Sequence, residues 1–348
     1  MNTQKEILMI TYQAPNPYSN QATFLSFLNS LFSFSSESIG KLVLPAQERE
    51  PNNISTERFE RLSQQFNLNI DAGYIKTHDG ATIDTIQLTP GSEQLNPIEQ
   101  QRFIVRFNGN GMQYSDTSSL YNAAQDADKL KETVILFDYR GVGNSKKTPA
   151  TFQDLVTDGI AQVQRLLDLG VNSKSITLDG LSLGGGVATM VAYHFHQLKK
   201  PVYLWNDRSL ASLSKTAAGM LAPTLPGLID DLVNYSLECT SYSVMKPSGW
   251  DVNVANAYKA IPSEYKGYMV VAKQSPISDG DGVIPHKASL HKGVRAFEKT
   301  HSETGHKVLA QFSMYGGHNM GRRELVSKNN QKETGQDLFE QFEMKKRI

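Results

Sequence analysis

The chain has 348 residues, 39% of them hydrophobic, which allows one large α/β domain or two small ones. Its 35 basic and 35 acidic residues cancel, so the composition argues against an electrostatic grip on nucleic acid or on an anionic membrane. Cys239 is the single cysteine and excludes an internal disulfide framework.

The N-terminal part, residues 1–69, predicts a helical extension. An apolar stripe at helical spacing is formed by Phe24, Phe27, Leu28, Leu31 and Phe34. The stripe either packs on the main domain or contacts lipid or acyl chains, which would allow peripheral membrane contact. It is too short and too polar to span a bilayer. Because Glu6 follows the only basic residue nearby, we expect no cleaved signal peptide, and therefore a cytoplasmic protein or one secreted without such a signal.

A second helix is expected directly after Ser55, over "TERFERLSQQF", because serine is a good helix cap. From residue 70 onward, strand patterns then alternate with helix patterns. The predicted strands are "AGYIKT", "GATIDTIQL", "RFIVRF", "TVILFDY", "SITLDG", "PVYLWN", "GYMVVAK" and "KVLAQFSMY". Helices are predicted at 152–169, after Ser182 and at 333–345. This alternation predicts an α/β domain over 70–348, with a mostly parallel sheet and helices on both faces. Only 219–266 resists assignment, and it could form a cap or shape a pocket.

One short motif carries the chemistry. Gly180-Leu181-Ser182-Leu183-Gly184 matches G-x-S-x-G, and it stands between a predicted strand and a predicted helix. That context is what a nucleophilic serine at the apex of a sharp turn requires. A plain glycine-rich helix start is the alternative, and no phosphate-loop motif is present.

A serine nucleophile needs a base, and the base needs an acid to orient it. His318 is the best candidate base, because it follows the last strand on a glycine turn at the expected ligand-binding edge of the sheet. Asp281 and Asp279 both follow the strand before it. We favour Asp281, whose loop continues into the apolar pair Val283-Ile284, and keep Asp279 as the alternative acid.

The oxyanion that forms during acyl transfer needs N–H donors. Leu183 follows the serine directly, and its amide is one expected donor. The second is expected from the loop after "RFIVRF", with Asn110 first and Gly111 next. A tight surface turn is the other interpretation of that loop. No cofactor or metal site is predicted.

Together these residues resemble the α/β-hydrolase superfamily. The order of Ser182, Asp281 and His318 along the chain is that family's order of nucleophile, acid and base. "FDYRGVGNS", "DGVIP" and "GGH" resemble three further signatures of the family. The resemblance implies a serine hydrolase that acts on an acyl substrate, most simply a carboxylic ester, through an acyl-enzyme.

Two features depart from that pattern or narrow it. The family often has His-Gly in the oxyanion loop, where this chain has Asn108-Gly109. "NDRSLASLS" and "RFNGNGM" are similar to segments of α/β-hydrolase-like proteins of intracellular bacterial pathogens, some of which are secreted effectors. The alternatives are a thioesterase, a peptidase, a non-catalytic binding protein on the same fold, or a lipid-surface protein that works through the N-terminal stripe.

Overall fold

The apolar runs lie side by side in one ten-stranded sheet. The computed structural model describes residues 10–13, 36–92, 96–221, 228–271, 281–302 and 310–346. In chain order, the strands are β1 (Ile10–Gln13), β2 (Leu68–Lys76), β3 (Thr82–Pro90), β4 (Phe103–Phe107), β5 (Thr133–Phe137), β6 (Ile176–Leu181), β7 (Tyr203–Asp207), β8 (Lys266–Val271), β9 (Ala310–Tyr315) and β10 (Val326–Ser327). Every strand predicted from the sequence is present in the described residues.

The helices fill the connections between these strands. They are α1 (Ser36–Val43), α2 (Thr56–Phe66), α3 (Thr117–Leu130), α4 (Phe152–Asp168), α5 (Leu183–Gln197), α6 (Leu213–Leu221), α7 (Leu228–Met245), α8 (Val254–Ala260), α9 (Leu290–Ser302) and α10 (Gly335–Lys345). None of the helices in the described ranges is long and apolar enough to cross a membrane.

Strand order across the sheet is β1-β2-β3-β5-β4-β6-β7-β8-β9-β10. The six strands from β5 to β9 run parallel, whereas β3 is antiparallel to both of its neighbours and β10 is antiparallel to β9. The carboxyl ends of the six parallel strands therefore meet at one edge, where ligands bind in sheets of this kind.

The core lies on both faces of the sheet. Phe103 and Val105 of β4 belong to one apolar cluster, which also contains residues of α4, α5 and α8. Ile104, between them, points to the opposite face and packs in a second cluster with residues of α3 and α10. The mostly parallel sheet with helices on both faces is thus as the sequence predicted.

The described residues 36–67, before β2, contribute to this core. Leu44, next to α1, is fully buried, and the Ser36 carbonyl accepts a hydrogen bond of 2.9 Å from the Trp250 indole. β1 pairs in parallel with β2 at the edge of the sheet. The Phe24–Phe34 stripe lies outside the described residues.

The segment 219–266, left open by the sequence, is largely helical. Met245, Trp250 and Tyr258 are buried in the core, and α8 packs against α5. By contrast, Tyr235 and Tyr242 of α7 are exposed. The segment is therefore anchored in the domain at its C-terminal half.

Candidate active site

Ser182 stands on a sharp turn between a strand and a helix. β6 ends at Leu181 and α5 begins at Leu183, while Ser182 has φ 57° and ψ −120°. A side chain in this region of backbone space costs about 1–3 kcal/mol, and such strain persists where the surrounding structure enforces it. The strand, turn and helix that G-x-S-x-G requires are therefore all present around Ser182.

Glycines flank the serine because side chains would not fit. A Cβ on Gly184 would collide with the carbonyl of Phe107, at the end of β4, and one on Gly180 would collide with the backbone of Gly184. The close approach of β6, β4 and α5 thus excludes any larger residue at both positions, and it lets the chain turn within one residue.

His318 reaches this serine from the loop after β9. Its Nε2 lies 2.9 Å from Ser182 Oγ, which is hydrogen-bond distance. Both side chains are buried but not closed off, with 6% and 7% of their surface exposed. The structure brings the predicted nucleophile and base together.

Asp281 lies on the far side of the same imidazole. Its Oδ1 is 2.9 Å from His318 Nδ1, but it lies off the direction of an Nδ1–H bond, so the contact is close without being a well-formed hydrogen bond. The same oxygen accepts the backbone amides of Ile284 at 2.7 Å and Val283 at 3.2 Å. The His318 amide donates to the Asp281 carbonyl at 2.8 Å, which ties the two loops together. Asp279 lies outside the described residues.

The two expected oxyanion donors are the backbone amides of Leu183 and Asn110. The Leu183 amide, at the start of α5, makes no hydrogen bond within the described part of the chain. Gly109 packs directly on Ser182: a Cβ on this glycine would lie 3.7 Å from Ser182 Cβ. Its carbonyl accepts the Met112 amide at 3.2 Å. The Asn110 N–H, in the same trans peptide group, therefore points the opposite way.

The N-terminal segment holds the loop that carries Asn110. The Ala46 amide donates to the Asn110 carbonyl at 3.2 Å, and Arg49 Nη1 donates to the Gly111 carbonyl at 2.7 Å. The Arg49 guanidinium also forms a two-pronged ion pair with Asp116, at 2.6 and 3.0 Å. The position of the loop thus depends on residues far upstream of the sheet.

The C-terminal part of the same loop contacts the buried carboxylate of Asp138. Asp138 Oδ1 accepts the Tyr114 amide at 2.7 Å and lies 3.4 Å from the Asn108 side-chain amide. Burial, with a further contribution from Asp84, raises the pKa of Asp138 to about 7. Asp84, Tyr114 and Asp138 also line a polar cavity of about 160 Å³, which does not include Ser182.

Sequence reasoning missed a row of buried charges behind the site. Acids and arginines alternate along it, from α3 across the sheet to the His318 loop, in the order Asp126, Arg106, Asp179, Arg322, Asp207, Arg208. Burial alone would raise the pKa of Asp207, but Arg208 and Arg322 outweigh it and hold that pKa below its ordinary value. The sequence feature that could have revealed this row was the charged pair Asp207-Arg208 at the end of a buried strand.

The described residues offer no evident metal centre, since no three His, Cys, Asp or Glu side chains among them converge. The ring of His291, in α9, lies 2.7 Å from the Tyr268 hydroxyl through Nδ1. Burial lowers the pKa of His291 to about 4, so this histidine is neutral at physiological pH.

Comparisons with known proteins bear on the fold. No family model matches the chain, and no curated protein sequence does. Among solved structures, an esterase from Pyrococcus furiosus superimposes with a TM-score of 0.50 at 16% identity, over 74% of this chain and 85% of that one. An alpha-beta hydrolase from Vibrio vulnificus does so with a TM-score of 0.52 at 15% identity, over 88% and 91%. At these identities the likeness concerns architecture, and it confirms the predicted fold class: the chain has the α/β-hydrolase fold.

Proposed function

We propose that the protein is a serine hydrolase that cleaves carboxylic esters, with Ser182 as nucleophile, His318 as general base and Asp281 as the acid that orients it. One observation carries the proposal. Ser182 Oγ lies 2.9 Å from His318 Nε2 on a strained turn at the carboxyl edge of the sheet. A serine hydroxyl held against an imidazole in this way can lose its proton as it attacks.

In the proposed reaction, Ser182 Oγ bonds to the acyl carbon while its proton passes to His318 Nε2. The carbonyl oxygen becomes an anion and is met by the amides of Leu183 and Asn110. Collapse of this intermediate breaks the ester C–O bond, and His318 returns the proton to the departing alcohol. Water then repeats the two steps on the acyl-enzyme and frees the acid.

Asp281 stabilises the imidazolium that forms in each step. Its carboxylate is 2.9 Å from His318 Nδ1, and two backbone amides fix it in place. The bent contact agrees with this role, because catalytic hydrogen bonds are often poorly aligned before substrate binds.

The fold neighbours support the reaction class but do not decide it, since one fold hosts many activities. One neighbour is described as an esterase and the other as an alpha-beta hydrolase. Esters are therefore the first substrates to test, with thioesters and peptides next. Graded p-nitrophenyl esters and matched acyl thioesters, compared by kcat/KM, would rank the acyl groups.

A fluorophosphonate probe tests the nucleophile. We expect the wild-type protein to be labelled, and Ser182→Ala to lose labelling together with about 10³-fold or more of kcat. Ser243→Ala, on the exposed face of α7, is the matched control and should label as wild type. Activity of Ser182→Ala within tenfold of wild type would remove Ser182 from the mechanism. A wild type that is neither labelled nor active on any ester, thioester or peptide would indicate a binding protein instead.

The choice of acid has its own test. Asp281→Asn should lower kcat by about 10³ to 10⁴, because the histidine loses the group that sets its tautomer. Asp279→Asn should cost less than about tenfold. Both variants need melting curves that match the wild type. If Asp279→Asn is the crippled variant instead, the assignment is reversed.

A further inference from the structure

Arg208 is an arginine buried directly beside the candidate site. It follows the last residue of β7, and only 3% of its surface is exposed. Its backbone is left-handed, with φ 48°, which is uncommon for a residue other than glycine. The Arg208 amide donates to the Met269 carbonyl at 3.0 Å, which fixes the turn to β8. The turn therefore places this side chain in the interior.

The Arg208 guanidinium donates hydrogen bonds to two places, the Asp207 carboxylate and the loop that contains His318. Nε and Nη2 form a two-pronged pair with the carboxylate of Asp207, at 2.6 and 3.1 Å. Nη1 reaches the loop of the candidate base, where it donates to the His318 carbonyl at 2.6 Å and to the Met320 carbonyl at 2.7 Å, with Gly317 more distant at 3.4 Å. Arg208 therefore holds the backbone on both sides of His318.

Asp207, the residue before Arg208, is hydrogen-bonded to the candidate nucleophile through its backbone. The Asp207 carbonyl accepts the Ser182 amide at 2.8 Å. Its carboxylate also accepts a hydrogen bond of 3.1 Å from Nε of Arg322, which lies in the same loop as His318. The two consecutive residues Asp207 and Arg208 thus connect the serine turn to the histidine loop, at the backbone and through side chains.

We propose that Arg208 is a positioning residue, which sets the distance between His318 Nε2 and Ser182 Oγ by fixing the carbonyls of His318 and Met320. This inference rests on the proposed function. Arg208 acts through the histidine backbone and needs no contact with substrate. Small displacements of reacting groups have large effects, because a shift of about 1 Å can cost about 10²-fold in rate.

The role requires arginine specifically. The planar fork presents several N–H groups in fixed directions, so it can bind a carboxylate on one edge and carbonyls on another. A lysine has one compact ammonium group and cannot serve both sets of acceptors at these distances. Arg208→Lys keeps the charge and most of the volume, and therefore isolates the geometry.

The test compares Arg208→Lys with Arg140→Lys. Arg140 is a matched control, because it is also a buried arginine in an acid cluster, paired with Asp158 and Asp79. We expect Arg208→Lys to lower kcat and the rate of fluorophosphonate labelling by about 10²-fold, with KM within about threefold of wild type. Arg140→Lys should match or exceed its loss of melting temperature while it keeps kcat within threefold.

A double variant separates positioning from damage to the fold. If Arg208 acts only through His318, adding Arg208→Lys to His318→Ala should change the residual rate by less than about twofold. An equal loss in both backgrounds, or a kcat of Arg208→Lys equal to that of Arg140→Lys, would overturn the proposal.

Two further outcomes complete the design. Should Arg208→Lys fail to fold, Asp207→Asn carries the same test. It keeps the side-chain shape, weakens the ion pairs of Asp207 with Arg208 and Arg322, and should cost about tenfold in kcat; an unchanged kcat there would overturn the proposal too. Failure of the proposed function looks different, since Ser182→Ala would then remain active or the wild type would not be labelled.

Discussion

The strain at Ser182 links the chemistry of one residue to the stability of the protein. With φ 57° and ψ −120°, this position suits glycine far better than serine. The serine is tolerated because β4, β6 and α5 leave the chain no other way to turn.

We therefore expect Ser182→Gly to be more stable than Ser182→Ala, although both lose the nucleophile. The expected difference in the free energy of unfolding is about 1 kcal/mol, because relief of strain exceeds the extra flexibility of an unfolded glycine. Urea unfolding of the two inactive proteins measures it. Equal stability, or a more stable alanine variant, would mean that the turn carries no strain.

Asp138 makes the stability of the protein depend on pH in an unusual direction. Its pKa is raised from 3.8 to about 7 by burial, so the folded protein holds a proton there that the unfolded chain has released. The stabilisation is complete below pH 4 and is lost as the pH rises towards 7.

Asp138→Asn should remove this dependence while it keeps the acceptor for the Tyr114 amide. The free energy of unfolding of the variant, relative to wild type, should rise between pH 4 and pH 7 and level off above that. Chemical unfolding at five or six pH values gives the curve. A flat difference, or one that falls with pH, would contradict the raised pKa.

At the scale of elements, the loop that carries Asn110 is held from outside the sheet. Arg49 pairs with Asp116 and with the Gly111 carbonyl, yet its side chain is 42% exposed. A pair so open to solvent adds little stability, roughly 0–1 kcal/mol. Its effect should therefore appear in the position of the loop.

Arg49→Ala should lower kcat by about tenfold with a small change in melting temperature, because complete loss of an oxyanion donor costs about 10²- to 10³-fold and a displaced donor should cost less. Lys131→Ala removes an exposed ion pair with Asp128 and is the control, with kcat unchanged. A kcat of Arg49→Ala within twofold of wild type would show that the loop does not depend on Arg49.

Some elements of the fold could be predicted from the sequence and others could not. The central strands were predictable, because β4 to β8 are short, mostly apolar segments whose burial needs no long-range information. β10 was missed since it has only two residues, and α7 because its exposed tyrosines blur the helical pattern. The closeness of Ser182 and His318 followed from both lying after parallel strands. The grip of Arg208 on the His318 loop did not, since hydrogen bonds to backbone carbonyls leave no residue pattern.

For the whole molecule, the described residues 36–67 before β2 contribute to the core of the domain. Leu44 is fully buried in the main core, whereas Leu42, two residues earlier in α1, is 78% exposed. Comparing substitutions at Leu42 and Leu44 therefore shows whether the core extends to this part of the chain.

Leu44→Ala should lower the free energy of unfolding by about 2–5 kcal/mol, as for other fully buried leucines. Leu42→Ala should change it by less than about 0.5 kcal/mol. Urea unfolding monitored by tryptophan fluorescence measures both. Similar small losses for the two variants would mean that the segment unfolds separately from the sheet.

The alternating row of buried charges has a consequence for how this sequence can change. Each inner member, such as Asp179 between Arg106 and Arg322, is shared by two partners of opposite sign. A single neutral substitution leaves one excess charge in this largely buried row, which is more costly than replacing the whole group with apolar residues. The charged residues of this row can therefore be replaced only through coordinated substitutions. The ancestry of this site should show its charges being gained or lost together, with few intermediates that fold well.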